Sequence, residues 1–209
     1  MENLTQIKWL TYSVMHPSGF EDMRWKKAGS LKISSCLILL FFIAEITENR
    51  FFGMQFFIND ERNFNIITYF IKSIILFFIW TLGNWSVSIF LDGKGIFKNI
   101  FIYSSYALFP YISQIFINIF LSHILVRDEY VFMQIVEFIG TLWTLFLLFS
   151  AVKSVHQYTV KRTFLAVFLT IIAMFSIIVI LIIFILLLRQ VFMFFSTIYM
   201  EIFYRVKML

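Results

Sequence analysis

Residues 164–188 form an uninterrupted stretch of twenty-five residues without a single charge. As a helix this stretch is about 37 Å long, enough to cross a hydrocarbon core of about 30 Å. A chain holding such a segment must satisfy its backbone polar groups internally, so the segment is helical and the bilayer is its solvent. The rest of the chain agrees, since 61% of the 209 residues are hydrophobic and 14% are charged. A water-soluble globule is excluded, because its surface would need far more polar side chains.

Three further runs are long enough to cross. Residues 73–91 hold Trp80, Asn84 and Trp85, with residues 65–72 as an extension. Residues 99–122 carry Pro110 near the middle, where the missing amide kinks a helix that its neighbours must then satisfy. Residues 131–152 form the next run. An earlier apolar run at residues 33–46 reaches only about 21 Å, and Lys32 would have to snorkel to extend it. The expectation is an all-α, polytopic integral membrane bundle of about five transmembrane helices with interfacial amphipathic segments. Three regions follow: residues 1–30 as a cytoplasmic segment with a short surface helix, residues 31–188 as the five-span domain, and residues 189–209 as an interfacial C-terminal helix. Within the first, Ser18-Gly19-Phe20-Glu21 has the spacing of a capping box. Residues 51–58 are too short to cross and suit the interface. Arg189 marks the end of the fifth span, and the apolar residues Val191, Phe192, Phe195, Tyr199, Ile202 and Phe203 recur beyond it at helical spacing.

Charge sets the orientation. The N-terminal side and the even loops carry ten Lys and Arg: Lys8, Arg24, Lys26, Lys27, Lys32, Lys94, Lys98, Lys153, Lys161 and Arg162. The opposite loops carry three, Arg50, Arg62 and Arg127. The positive-inside rule then predicts a cytoplasmic N-terminus, and a multi-pass protein of the plasma membrane with no removed signal peptide is expected. Five spans leave Arg189, Arg205 and Lys207 on the outer side, against that rule. The net charge of +5 is accounted for by topology, since no basic stripe on a nucleic-acid-binding fold accompanies it.

Intramembrane charges are costly and mark candidate sites. Lys72 at the outer start of the second span and Glu137 about two turns into the fourth share a rough depth, which predicts an intramembrane ion pair between them. Its rival is two side chains snorkelling separately. Asn84, Gln114 and Asn118 are the other polar span residues, read as interhelical hydrogen-bond partners, with Gly83 and Gly140 allowing close helix approach. His123 and Asp128 match the His-x4-Asp spacing of glycerolipid acyltransferases, but no soluble domain is there to hold an acyl donor. His156 reads as part of a solvated basic loop. The single cysteine, Cys36, offers neither a disulfide nor a thiolate metal site. Asp92-Gly93-Lys94-Gly95 lacks the Lys-Ser or Lys-Thr of a phosphate loop and reads as a tight turn in which Gly supplies positive φ. No catalytic, cofactor-binding or metal-binding residues emerge, and the chain is expected not to be an enzyme.

Asp92-Gly93-Lys94-Gly95, followed by Tyr106-Ala107-Leu108-Phe109-Pro110-Tyr111, resembles the Yip-domain family, membrane proteins named for interaction with Ypt/Rab GTPases. Tyr106, Leu108 and Pro110 stand where that family has its Tyr-x-Leu-x-Pro segment. The stretch from His16 to Asp22, with Lys26, Lys27 and Gly29, is similar to bacterial members in particular. The resemblance covers most of the chain and implies a five-span membrane protein with a cytoplasmic N-terminus. It does not carry Rab binding over, since the Asp-Leu-Tyr-Gly-Pro stretch of the eukaryotic members is missing. The function it points to is that of an accessory or scaffold partner of other membrane proteins, such as transporter components, or a role in membrane organisation. The alternative is a small oligomeric transporter or channel, with Lys72, Glu137 and the polar span residues lining a path. Membrane lipids, other integral membrane proteins and further copies of the chain are the expected partners.

Overall fold

The computed structural model describes residues 6–16, 18–56 and 64–207, and every regular element in them is helical. Two short helices come first, α1 (Gln6–Met15) and α2 (Gly19–Trp25), followed by α3 (Leu31–Phe51). Next, α4 (Ile66–Phe70) runs through a π-helical turn (Ile71–Ile75) into α5 (Leu76–Phe90). The chain returns as α6 (Phe97–Ala107) and α7 (Phe109–Leu121), then α8 (Tyr130–His156) and α9 (Val160–Lys207). Four helical stretches are long and apolar enough to cross a membrane: Ile66–Phe90, Phe97–Leu121, Arg127–His156 and Val160–Glu201. The fifth long helix, α3, has 21 residues and so reaches about 31 Å, but it carries Lys32, Glu45, Glu48 and Arg50.

Pro110 acts as the sequence requires. Helix α6 ends at Ala107, Leu108 is the hinge, and α7 restarts with Pro110 in its first turn, where a missing amide costs nothing. Helices α3, α6, α7 and α8 pack around one core, and α5 joins α9 at its side. Gly140 allows the approach of α7 to α8, since a Cβ there would collide with Gln114.

Two regions differ from the sequence-based expectation. Rather than forming a surface helix, α1 and α2 make a hairpin that sends Trp9, Leu10, Val14, Phe20 and Met23 into the main core. The capping box does not form: the Ser18 hydroxyl donates to Asp22 Oδ2 at 3.2 Å, and Glu21 turns instead to Lys153 at 2.8 Å. Bonds to α8 hold the hairpin down, with Ser154 Oγ donating to the Phe20 carbonyl at 2.7 Å and Trp143 Nε1 to that of Val14 at 3.2 Å.

The second difference is the tail. Arg189 does not end a helix; α9 runs unbroken for 48 residues, about 72 Å. With neither Gly nor Pro from 160 to 207, and Arg and Gln both good helix formers, nothing in the chain stops it. Only its first part is packed, through Thr163, Ala166 and Thr170 on one stripe. From Val179 onward every described side chain whose burial is defined is exposed.

The expected interfacial segment is pinned to the α7–α8 connection by bonds from Gly53 N to Ser122 Oγ at 2.9 Å and from Gln55 Nε2 to the Leu125 carbonyl. Phe57, Ile58 and Arg62 of the sequence reading lie outside the described residues.

Candidate functional site

Along the second half of α3, Glu45, Glu48 and Asn49 fall at i, i+3 and i+4, which places them on one helix face. The π-helical turn packs against that helix and carries Lys72. Its ammonium lies 2.7 Å from Glu45 Oε2, pairing a carboxylate that is 2% exposed with a lysine side chain that is 54% exposed. Together with Phe52 and Tyr69 these groups line a cavity of about 270 Å³. The other Glu45 oxygen, Oε1, and Asn49 Oδ1 are buried without a hydrogen-bond partner.

The expected Lys72–Glu137 pair is therefore corrected, because Lys72 is paired with Glu45. Depth along a helix does not choose a neighbour; packing does, and the π turn packs on α3, not on α8. Glu137 is exposed on α8, within electrostatic reach of Glu48 and Tyr111. Further polar groups lie between α7 and α8, where Gln114 Nε2 donates to Thr141 Oγ1 at 3.3 Å. Gln114 Oε1, Asn118 Oδ1 and Thr144 Oγ1 are buried and unpaired. Sequence reasoning missed Glu45, although its signal was there: a carboxylate inside an apolar run, one helical turn before Glu48.

Asn84 belongs elsewhere, twelve residues or about 18 Å further along the helix than Lys72. It joins a second polar cluster at the far end of the bundle, around His156. That histidine is 2% exposed, so it is buried and not part of a solvated loop. The Gly95 amide donates to its Nδ1 at 3.3 Å, and its Nε2 lies 2.8 Å from Asn84 Oδ1. An amide can only donate, so Nδ1 accepts and Nε2 carries the proton, which defines a neutral imidazole. Asn84 Nδ2 then donates to Thr170 Oγ1 at 3.3 Å, and Thr170 to the Ala166 carbonyl at 2.7 Å. One hydrogen-bonded chain thus links the loop after α5 with α8, α5 and α9.

The loop 92–95 is a turn, as expected, but its glycines serve another purpose. The positive φ of 49° belongs to Asp92, and the Gly93 amide closes back on the Ser88 carbonyl at 2.8 Å. Gly93 and Gly95 are required by close approach: a Cβ on Gly93 would collide with the Tyr158 hydroxyl and His156, and one on Gly95 with Val155 and His156. Lys94 is exposed, and Asp92 pairs with Arg162 at 3.1 Å. Tyr158 stacks on His156, and its hydroxyl is buried without a partner. Burial pushes that phenol above its usual range, Arg162 pulls it back, and Asp92 adds to the rise.

Tyr106 is fully buried, and its hydroxyl accepts the Ser30 amide at 3.3 Å. With Leu108 as hinge and Pro110 behind it, this stretch is a helix break anchored to the start of α3. His123 and Asp128 are not brought together. His123 Nδ1 lies 2.9 Å from the Ile119 carbonyl, and Asp128 sits in the short 3-10 turn Arg127–Glu129.

The family model described as the Yip1 domain matches residues 12–187, and the chain belongs to that family of membrane proteins. No curated protein and no solved structure matches it.

Proposed function

We propose that this Yip1-family chain is a non-enzymatic multi-pass membrane protein that works by lateral association with other integral membrane proteins, as an accessory or scaffold, or in organising the membrane around them. The observation that carries this reading is the unpacked length of α9. Beyond Val179 its exposed side chains are overwhelmingly Ile, Leu and Phe, and the apolar character continues past Arg189 through Phe192, Phe195, Tyr199 and Phe203. A helix of about 72 Å exceeds the hydrocarbon thickness more than twofold, so lipid tails alone do not cover it when it stands upright. An apolar surface of this extent marks an interaction site. By the positive-inside rule, a cytoplasmic side for the segments that carry Lys94, Lys153 and Lys161 fits this reading.

The test is a mild-detergent pull-down of the full chain beside one ending at Leu188. A stoichiometric membrane-protein partner present with the full chain and lost from the shortened one is the expected result. Equal recovery from both, or none from either, would overturn it.

One observation favours a second reading, a small oligomeric transporter or channel. The unpaired Glu45 Oε1 faces a cavity shared with Lys72 and Glu48, and a buried carboxylate with spare acceptor capacity suits a passing cation or proton. Flux in reconstituted vesicles that is lost in Glu45→Gln would support it, and flux indistinguishable from empty vesicles would dismiss it.

A further inference from the structure

At the end of the bundle that holds the basic residues, the last turn of α2, the link to α3 and the first turns of α6 enclose a cavity of about 330 Å³. Eight residues line it, among them Arg24, Lys27, Gly29, Lys98, Asn99 and Tyr103; three of the eight are cations and none is an acid. The acids nearest in sequence are committed elsewhere: Glu21 to Lys153 at 2.8 Å, and Asp22 to the Tyr12 hydroxyl at 2.9 Å and to Ser18. Among the described residues Arg24, Lys27 and Lys98 have no carboxylate partner.

The backbone adds to the same bias. Lys27 has a φ of 49°, and the Ala28 amide closes on the Met23 carbonyl at 2.9 Å, so the lysine is held in the left-handed position that ends α2. Helix α6 starts at Phe97 without a side-chain cap; the Asn99 and Ile100 amides close on the Ile96 carbonyl, which leaves those of Phe97 and Lys98 at the positive end of the helix dipole. An oxyanion is the natural occupant of such an end. Tyr103, 4% exposed, is the wall between them, and its hydroxyl makes no hydrogen bond among the described residues. Exposed apolar residues stand next to the lining residues in the chain: Trp25, 78% exposed, follows Arg24, whose guanidinium lies 5.3 Å from its ring, and Leu31 and Ile96, also exposed, lie two residues from Gly29 and Lys98.

We infer that this cavity binds a phosphate group, with Arg24, Lys27 and Lys98 supplying charge and the side chains of Asn99 and Tyr103 supplying neutral donors. Three cations around one small space match an anion with several charged oxygens better than a single carboxylate. The exposed Trp25, Leu31 and Ile96 point to a phosphate carried by a membrane lipid, whose acyl chains would run along them. Free phosphate offers the same chemistry without that apolar contact.

The experiment titrates the full-length protein in neutral detergent with short-chain phosphatidic acid, phosphatidylglycerol and phosphatidylcholine, reading bound lipid by native mass spectrometry. The anionic lipids should saturate at one site per chain, and Lys27→Glu with Lys98→Glu should weaken them by about tenfold or more. Lys94→Glu with Lys161→Glu, exposed changes on the same basic end but outside the cavity, should leave affinity within about twofold. Should the charge reversals disturb folding, Lys27→Gln with Lys98→Gln is expected to give a smaller loss in the same direction. Saturation by phosphatidic acid without competition from inorganic phosphate identifies the lipid-borne group; competition identifies phosphate itself as sufficient. Equal binding of phosphatidylcholine, equal loss in the two Glu pairs, or no saturable binding of lipid or phosphate would overturn the inference.

Discussion

The bundle has a polar cluster near each end, and they are built in opposite ways. Around His156 the donors and acceptors are matched in series, from the Gly95 amide through the imidazole and Asn84 to Thr170 and the Ala166 carbonyl, with only the Tyr158 hydroxyl left over. Around Glu45 a single ion pair stands beside a cavity, and Glu45 Oε1 and Asn49 Oδ1 are buried without partners. A satisfied network in a low-dielectric interior holds helices in one arrangement, whereas an unsatisfied one keeps capacity for something not in the chain. The first cluster is a structural joint, and the second leaves buried acceptors unmatched beside a cavity.

Substitutions can break that contrast. The largest effect is expected at Gly95→Val, whose side chain has no room beside Val155 and His156; it should lower unfolding stability in detergent by about 3 kcal/mol. An unshifted midpoint would show that the loop is not docked as described. Next, His156→Ala leaves the Gly95 amide and Asn84 Oδ1 unpaired, for a loss of about 2 kcal/mol or more.

The Glu45 cluster should respond asymmetrically. Lys72→Met strands a buried carboxylate and should cost about 1–2 kcal/mol after allowance for the exposure of Lys72. Glu45→Gln leaves a half-exposed lysine that water can serve, so the cost should stay below about 0.5 kcal/mol. Equal costs, or the reverse order, would mean that the pair is not buried on the Glu45 side.

The smallest effect concerns Tyr158. Because its phenol titrates higher in the folded chain than in the unfolded one, its contribution is fully present below about pH 10 and is lost as pH rises through the folded value. Stability of the parent should therefore fall more steeply above about pH 10 than that of Tyr158→Phe, and parallel curves would remove the burial argument.

Helical class, the position of Pro110 and the approximate bounds of the helices from α5 to α8 were legible because they follow from local apolar length and backbone chemistry. The sites were legible in part. Lys72 stood out as a charge in an apolar setting, but its partner did not, since rough depth is shared by several helices and only packing selects one. His156 looked solvated because its neighbours in sequence, Lys153, Lys161 and Arg162, are charged; its neighbours in space are Gly95, Asn84 and Tyr158. The N-terminal hairpin was hidden for the same reason, since Phe20 and Met23 are too few to reveal a core position without α6 and α8 beside them.

The sequence by itself determined that this chain is a helical membrane protein of the Yip1 type, because runs of apolar residues admit no other solvent and the family's stretches occur in order. Only the tertiary structure decided which polar groups meet. It joined Glu45 to Lys72, closed the loop 92–95 over His156, left the described side chains of α9 exposed from Val179 onward and gathered Arg24, Lys27 and Lys98 around one cavity. The reason is that apolar burial depends on how much surface is hidden and is largely indifferent to which helix hides it, whereas a hydrogen bond or ion pair depends on distances of about 3 Å that packing alone sets.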